Sequence, residues 1–302
     1  MTDGGVVPVV RHSPATRRLP ATLLCVLLLV SGLTGCSATR TAYNQLDWLL
    51  TFYLARHFDL DSEQKDELRV VVDRNLVWHR QTQLPRYAAY LRFLAVTIDE
   101  PVTGAEVRLA YAQVLDFWDV SMLHIVPDAQ RFLSTLNDDQ VAQMIIRMEE
   151  NNERLFKEYS GATEEERKAN REKNTIKGAE RLLGKLTSEQ KQYVGDSLAE
   201  MKDATTDWVA NRRRWQAAFI ELIVEQPPEA EYRQRLTELY VYPRRFDEPE
   251  FQKTVDDNLD AAFRLTTGLL NDLSPKQRAR AQKRFTNYAG DFEALAAQSA
   301  DE

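Results

Sequence analysis

Cysteine and glycine are scarce in this chain of 302 residues. Its two cysteines are Cys25 and Cys36, so the residues after position 36 can hold no disulfide, no cysteine-ligated zinc and no cysteine nucleophile. Eleven glycines beside 28% charged residues are typical of long amphipathic helices. The body of the protein must therefore be held together by its apolar core alone.

The apolar segment over residues 21–30 is short. It has ten residues, whereas a helix that spans a membrane needs about 20. Three arginines precede it, and small residues follow it up to Leu33-Thr34-Gly35-Cys36. This layout resembles the signal sequence of bacterial lipoproteins, in which the cysteine thiol is acylated and the leader, here residues 1–35, is removed. An uncleaved signal or a chance Leu-Thr-Gly-Cys is the alternative.

The resemblance implies a location. Cys36 would carry the lipid and contact the membrane through it. Ser37 stands where an aspartate commonly retains a lipoprotein in the inner membrane, so we expect the inner leaflet of the outer membrane, facing the periplasm, with the inner membrane as the alternative. The leader has a net charge of +2, so the whole-chain charge of −7 becomes −9 for the mature protein. An acidic periplasmic body is not expected to bind nucleic acid.

A five-residue pattern occurs four times in the mature chain. Its second residue can cap a first helical turn, and the glutamine at its end can complete a capping box. The four copies are Leu60-Asp-Ser-Glu-Gln64, Leu136-Asn-Asp-Asp-Gln140, Leu186-Thr-Ser-Glu-Gln190 and Leu273-Ser-Pro-Lys-Gln277. The pattern predicts helices that start near residues 62, 138, 188 and 275.

The spacing of the copies indicates two related halves. The first and third copies are 126 residues apart, and the second and fourth are 137 apart. Capping signals that converged independently are the alternative. We expect an all-α fold of long antiparallel helices in two tandem related halves. The predicted segments are a lipid-proximal segment with the first helix at 36–59, half 1 at 60–160, a charged connector at 161–185 and half 2 at 186–302.

Two apolar stripes indicate long helices. One stripe runs from Val194 to Leu222 and the other from Val141 to Tyr159, each stepping by three or four residues. Asn152, Thr205 and Arg212 interrupt these stripes, and they either fix the register of packed helices or face a groove. No segment shows the alternation typical of a strand.

Short segments of the chain resemble the sequences of two protein families. The mature chain, with Ala42 to Trp48, Trp78-His79-Arg80 and Leu84 to Tyr87, resembles an uncharacterised family of Gram-negative lipoproteins classed as a domain of unknown function. That resemblance implies no reaction. Leu186 to Gln190 matches the LTxxQ signature of the Spy/CpxP group, which implies an all-helical chaperone or stress-response modulator without cofactors. The other three copies depart from that signature at the second position.

Signals for catalysis and metal binding are weak. His57 and Asp61, like His124 and Asp128, have the spacing of a helical metal site. However, Asp61 is better used as a helix cap, and we expect Pro127 to break the helix between the second pair. We expect His79 to be a packed or surface histidine and not a general base. The chain offers no nucleophile elbow and no phosphate loop, so we predict no catalytic, metal or cofactor-binding residues.

Two basic clusters stand out in the acidic chain. They are candidates for contact with lipid phosphates or an anionic partner, and a solvated helix face is the alternative. The first cluster consists of Arg212, Arg213 and Arg214. The second cluster consists of Lys276, Arg278, Arg280, Lys283 and Arg284.

These observations favour a non-catalytic protein. We expect a lipoprotein that binds an envelope protein or an unfolded polypeptide in a chaperone-like manner. A structural or accessory subunit of an envelope complex is the alternative. A cell-wall hydrolase is a third hypothesis, which would require a pair of carboxylates facing a cleft.

Overall fold

A computed structural model of the protein describes residues 36–160 and 163–298. The predicted leader lies outside the described residues, as does the side chain of Cys36. The helices are α1 (Cys36–Tyr43), α2 (Leu46–Phe58), α3 (Ser62–Thr82), α4 (Leu84–Thr97), α5 (Gly104–Leu133), α6 (Asp138–Ser160), α7 (Glu164–Leu183), α8 (Ser188–Ala199), α9 (Thr205–Glu225), α10 (Glu229–Val241), α11 (Pro249–Asn271) and α12 (Pro275–Gln298), with a 3₁₀ turn at Pro243–Phe246.

The all-α fold is confirmed for the described part of the chain, which contains no strand. The four predicted helix starts are also confirmed, because α3, α6, α8 and α12 begin at residues 62, 138, 188 and 275. Each is capped as the pattern predicts; for example, the backbone N–H of Gln64 donates to the Asp61 carboxylate over 2.9 Å. No helix among the described residues has both the length and the hydropathy that crossing a bilayer requires.

The prediction that Pro127 breaks a helix is wrong. Helix α5 continues through Pro127 to Leu133. Proline removes one backbone hydrogen bond, and the surrounding contacts compensate for that loss. The next residue, Asp128, accepts from Asn75 over 2.8 Å and pairs with Arg74 over 2.7 Å on α3. Tertiary contacts of the residue directly after the proline therefore hold the helix in place.

The stripe from Val194 to Leu222 does not lie on one helix. Helix α8 ends at Ala199 and α9 begins at Thr205. Hydrogen bonds outside the helix replace the intrahelical ones at this break: Asn258 accepts from the backbone N–H of Lys202 over 2.9 Å and donates to its carbonyl over 3.0 Å. The spacing of apolar residues by three or four continues across the break, so the sequence pattern does not reveal where the helix ends.

The main core is built from both halves of the sequence. Met144 on α6, Leu222 on α9 and Leu236 on α10 are fully buried in one cluster with side chains of α2, α3 and α5. A second cluster joins α7, α8, α11 and α12, and a third joins α1, α4 and α12. Burial of apolar side chains from distant parts of the chain is what stabilises this arrangement.

Packing between the halves is reciprocal. Helix α4 lies against α12, and helix α9 lies against α6. Each contact joins the second helix of one half to the last helix of the other half. Helix α5 likewise packs against α10 and α11. A duplication would produce such a pattern, and the origin of the halves by duplication stays a prediction.

The predicted charged connector is mostly helix. Thr163 caps α7, and the Glu166 side chain accepts from the Thr163 backbone N–H over 2.8 Å. The few apolar side chains of α7 face the second core cluster, where Leu183 is 3% exposed. Helix α7 packs against α8 and α12, and its charged residues remain at the surface.

Candidate binding surfaces

The glutamines of the four capping patterns meet in two pairs. The side-chain amide of Gln190 donates to the Gln277 oxygen over 3.2 Å, and the Gln277 amide donates to the Gln190 oxygen over 2.8 Å. Gln64 and Gln140 form the equivalent pair in the first half, with an N–O distance of 3.1 Å in one direction. Each pair joins the starts of two helices, α8 with α12 and α3 with α6.

Each glutamine also bonds the chain just before its partner's pattern. In the second half, Gln190 donates to the carbonyl of Asp272 over 2.9 Å and Gln277 donates to that of Lys185 over 3.2 Å. In the first half, the acceptors of Gln64 and Gln140 are the carbonyls of Thr135 and Asp59, both over 3.2 Å. The same bonds occur at the same positions in both halves. The repeated pattern is therefore a paired helix clamp with a structural role.

The arginine triplet lies on α9, and each of its guanidinium groups bonds a side chain of the protein. Arg213 pairs with Glu149 over 2.6 Å, and Arg214 pairs with Glu248. Arg212 is half-buried; its Nε donates to Asn152 over 3.0 Å, and the guanidinium lies 5.8 Å from the centre of the Trp208 ring. The predicted contact of these arginines with an anion stays a prediction.

Asn152 and Arg212, which interrupt the apolar stripes, meet between α6 and α9. The Asn152 amide donates to the Gln216 oxygen over 2.6 Å, and both side chains are buried. A polar contact of this kind at an apolar seam fixes the register of two helices. The sequence predicts that these residues either fix the register of packed helices or face a groove. The contact between Asn152 and Gln216 corresponds to the first of these roles.

Replacing Asn152 with alanine should lower the free energy of unfolding by about 2 kcal/mol, because Gln216 and Arg212 would be left without their buried partner. Chemical denaturation monitored by circular dichroism measures the change. Glu153→Ala is the matched control, since the neighbouring Glu153 is exposed and should change stability by less than about 0.5 kcal/mol. An equal effect of both substitutions would contradict a register role.

A shallow cleft of about 200 Å³ lies between α6 and α9 beside this contact. Its apolar lining includes Ile145, Met148 and Ile220, and Glu149 and Arg213 stand at its charged side. The cleft can accept an apolar side chain of a partner, and the ion pair can bond polar backbone groups next to it.

The basic residues of α12 divide into two groups. Arg278 is used inside the protein, where it donates to the carbonyls of Ile98 and Leu270 and so satisfies two helix ends. Arg280, Lys283 and Arg284 make no ion pair with any described acidic residue. This second group offers positive charge at the surface.

The histidines and carboxylates do not form a metal or catalytic centre in the described part of the chain. No group of three or more potential metal ligands occurs there. His79 is packed between two tyrosines: its Nδ1 lies 2.7 Å from the Tyr43 hydroxyl and its Nε2 lies 3.2 Å from the Tyr87 hydroxyl. Burial lowers the pKa of His79 to about 4.

A second cleft, of about 340 Å³, is lined by charged side chains of α11 and of the chain between α8 and α9. Asp257 pairs there with Lys202 over 2.8 Å, and this lysine lowers the pKa of the Asp257 carboxyl. A general acid of a glycosidase needs a raised pKa. This carboxyl therefore does not have the raised pKa that the general acid of a glycosidase needs.

Sequence reasoning missed one surface, the outer face of α2. Trp48, Leu49, Phe52 and Tyr53 are each about half exposed or more, at 60%, 48%, 51% and 61%. The opposite face of the same helix is buried through residues such as Phe58. The apolar composition of α2 was visible in the sequence, but large apolar side chains occur on both its inner and its outer face, so no periodicity indicated which side stays uncovered.

The described part of the chain is all-helical, and a pair of glutamines joins two helix starts within each half. A model of the family of unknown function DUF6279 matches residues 56–252, and the chain belongs to that family. The matched range holds three of the four capping patterns. No curated protein and no solved structure gives a significant match.

Proposed function

We propose that the protein is a lipoprotein of the bacterial envelope, acylated at Cys36, that binds a polypeptide without catalysis. It would face the periplasm from the inner leaflet of the outer membrane, and the inner membrane is the alternative. The signal-like segment that ends at Cys36 supports the anchor. The observation that carries the binding role is the cleft between α6 and α9, with its apolar lining and its Glu149–Arg213 pair.

The binding partner in this proposal is an unfolded or partly folded chain. Extended polypeptides offer apolar side chains next to unpaired backbone amides and carbonyls, and the cleft offers complementary groups to both. The LTxxQ-like pattern at Leu186 to Gln190 gives a further, weaker reason, because it resembles the signature of the Spy/CpxP chaperones.

The client-binding role can be tested by aggregation of a chemically unfolded protein. The mature chain with Cys36→Ser should suppress light scattering at an equimolar ratio. Ile220→Gln should weaken that suppression several-fold, because it places an amide in the apolar cleft. Val224→Gln is the matched control, since Val224 lies one turn further along α9 and is 64% exposed outside the cleft. No suppression by the parent protein would refute the chaperone role.

The lipid anchor has its own test. Cells that express the full chain should incorporate labelled palmitate into it, and the Cys36→Ala variant should lose the label and accumulate as the longer precursor. Membrane fractionation followed by mass spectrometry measures both effects. An unlabelled parent protein, or a Cys36→Ala variant processed to the same mass, would refute acylation at this residue.

A second candidate function is that of an accessory subunit in an envelope complex. The basic surface formed by Arg280, Lys283 and Arg284 on α12 favours it, because unpaired cations suit an acidic partner. Crosslinking in cells should then yield one stable partner, and charge reversal at Lys283 and Arg284 should release that partner.

A further inference from the structure

We propose that the outer face of α2, formed by Trp48, Leu49, Phe52 and Tyr53, lies in the membrane interface beside the acyl anchor. This inference rests on the proposed lipid anchor and extends it, because it assigns a second membrane contact to the folded body. The partner is a phospholipid surface, contacted by side chains and not only by acyl chains on Cys36.

The first observation is that α2 is apolar on both sides. Its inner face packs through Ala55 and Phe58 into the main core. The outer face presents four large side chains, each between 48% and 61% exposed. A helix with large apolar side chains on two faces is normally covered on both of them. A contiguous apolar patch of this kind marks a contact with a partner or a membrane.

The composition of the patch fits a bilayer interface. Tryptophan and tyrosine are enriched at the level of the lipid headgroups, where an apolar ring with one polar atom is favoured. Trp48 and Phe52 stack with their ring centres 5.5 Å apart, so they offer one continuous aromatic surface. Arg56 lies on the same exposed side, one turn after Phe52 and near the C-terminal end of the helix. Its guanidinium can remain among the lipid headgroups.

The dimensions of α2 favour a helix that lies in the plane of the membrane. The helix has 13 residues, so it is about 20 Å long. The hydrocarbon core of a bilayer is about 30 Å thick. A helix too short to cross the core, with one exposed apolar face and the opposite face packed on a folded body, contacts the interface from one side.

The position of Cys36 selects the membrane over other partners. Helix α1 starts at Cys36 and is fixed to the body: Tyr43 is 9% exposed, and Arg40 pairs with Asp291 on α12 over 3.4 Å. Eleven residues separate Cys36 from Trp48, and α1 spans about 12 Å of that path. An acylated Cys36 would therefore hold the patch within a short distance of the bilayer, with no long linker between them.

The test uses the mature chain with Cys36→Ser, so that no acyl chain contributes. Flotation with vesicles of phosphatidylethanolamine and phosphatidylglycerol measures binding. We expect the parent protein to float with the vesicles and the Trp48→Ser/Phe52→Ser variant to bind at least about tenfold more weakly. Leu109→Ser/Val224→Ser is the matched control, because both side chains are exposed, at 68% and 64%, and lie outside α2. Circular dichroism of each variant checks that it is folded.

A second measurement locates the contact. Vesicles with brominated acyl chains should quench the fluorescence of the parent protein, and Trp48→Phe should remove most of that quenching while it leaves flotation unchanged. Equal binding of the Trp48→Ser/Phe52→Ser variant and the parent protein would overturn the proposal. So would a parent protein that ignores vesicles and forms a dimer through this face, which the same variant would convert to a monomer.

The two proposals fail in different ways. If Cys36 is acylated in cells but the non-acylated chain does not bind vesicles, the anchor stands and the interfacial role of α2 is refuted. If Cys36 is not acylated but the chain binds vesicles through Trp48, the anchor is refuted and the surface contact of α2 stands.

Discussion

Replacing Gln277 with alanine should lower the free energy of unfolding by about 3 kcal/mol, whereas Gln192→Ala should change it by less than about 0.5 kcal/mol. Gln277 is 6% exposed and belongs to the glutamine pair, whereas Gln192 is exposed and donates to the side chain of Asp196, four residues further along α8. Chemical denaturation of the two variants measures the difference directly.

The size of the effect follows from the number of bonds that Gln277 makes. Its oxygen accepts from the backbone N–H of Ser274 over 2.9 Å, and its amide donates to the Lys185 carbonyl over 3.2 Å and to Gln190 over 2.8 Å. An alanine leaves these three groups without that partner in a place that water does not readily enter. Each such loss costs about 1 kcal/mol or more.

Two further variants separate hydrogen bonding from packing. Gln277→Glu keeps the shape of the side chain but replaces the amide donor with a carboxylate, so it should destabilise the protein at least as much as the alanine does. The double variant Gln190→Ala/Gln277→Ala should cost about 1 kcal/mol less than the sum of the single variants, because the shared bond is lost only once. Strict additivity, or a neutral Gln277→Glu, would contradict the paired clamp.

The equivalent pair in the first half should give a smaller effect of the same kind. Gln140 is 5% exposed but its partner Gln64 is only half-buried. Water can replace part of the lost bonding at a partly open site. We therefore expect Gln140→Ala to cost about 2 kcal/mol, which places the stronger clamp at the start of α12.

The helix starts could be predicted from the sequence because capping is local chemistry. Asp61, Asn137, Thr187 and Ser274 each bond a backbone group three residues away, and that relation is visible in a five-residue window. The pairing of the glutamines was not visible. It joins residues that are 76 or 87 positions apart, and a capping signal does not specify which second signal it will meet.

Tertiary contacts explain where the sequence patterns misled. Around Pro127 the pairing of Asp128 with Arg74 and Asn75 keeps α5 intact, although proline predicts a break. Between α8 and α9 the opposite happened: the apolar period continues, but Asn258 bonds the backbone of Lys202 and the helix ends. In both places a residue distant in sequence decides the backbone conformation.

The exposed face of α2 shows a different limit of predictions from hydrophobic periodicity. Periodicity reveals a buried face only when the other face is polar, and here Trp48, Phe52 and Tyr53 occupy the uncovered side. A pattern that contains no polar side cannot indicate which surface stays open for a partner. Part of the candidate site was therefore recognisable by composition, and its position required the packing of α2 against α3 and α6.

The second large effect expected is a loss of stability in mild acid that depends on His79. An unfolded histidine titrates near pH 6.5, whereas burial lowers the pKa of His79 in the folded protein to about 4. Below pH 6.5 the unfolded state therefore binds a proton that the folded state does not bind. The folded protein therefore has its full stability from this group above that pH. As the pH decreases, the free energy of unfolding falls, and the loss reaches about 3 kcal/mol at pH 4.

The packing of the ring accounts for the low pKa. One ring nitrogen lies 2.7 Å from the Tyr43 hydroxyl and the other lies 3.2 Å from the Tyr87 hydroxyl. A neutral imidazole donates to one hydroxyl and accepts from the other, so both bonds are satisfied. A protonated ring must donate to both oxygens, and no described carboxylate pairs with it to compensate for the lost hydration.

Denaturation of the parent protein and the His79→Asn variant between about pH 7.5 and pH 5 separates this group from the carboxylates, which titrate lower. His79→Asn should be less stable at the upper pH, because it loses packing, yet its stability should fall by about 2 kcal/mol less on acidification. His124→Asn is the control, because the ring of His124 is exposed and stacks on Trp78 without a pair of tyrosine hydroxyls at its nitrogens, so the slope should change less. Parallel stability curves for the parent protein and His79→Asn would mean that the histidine between the two tyrosines accepts its proton as readily when folded as when unfolded.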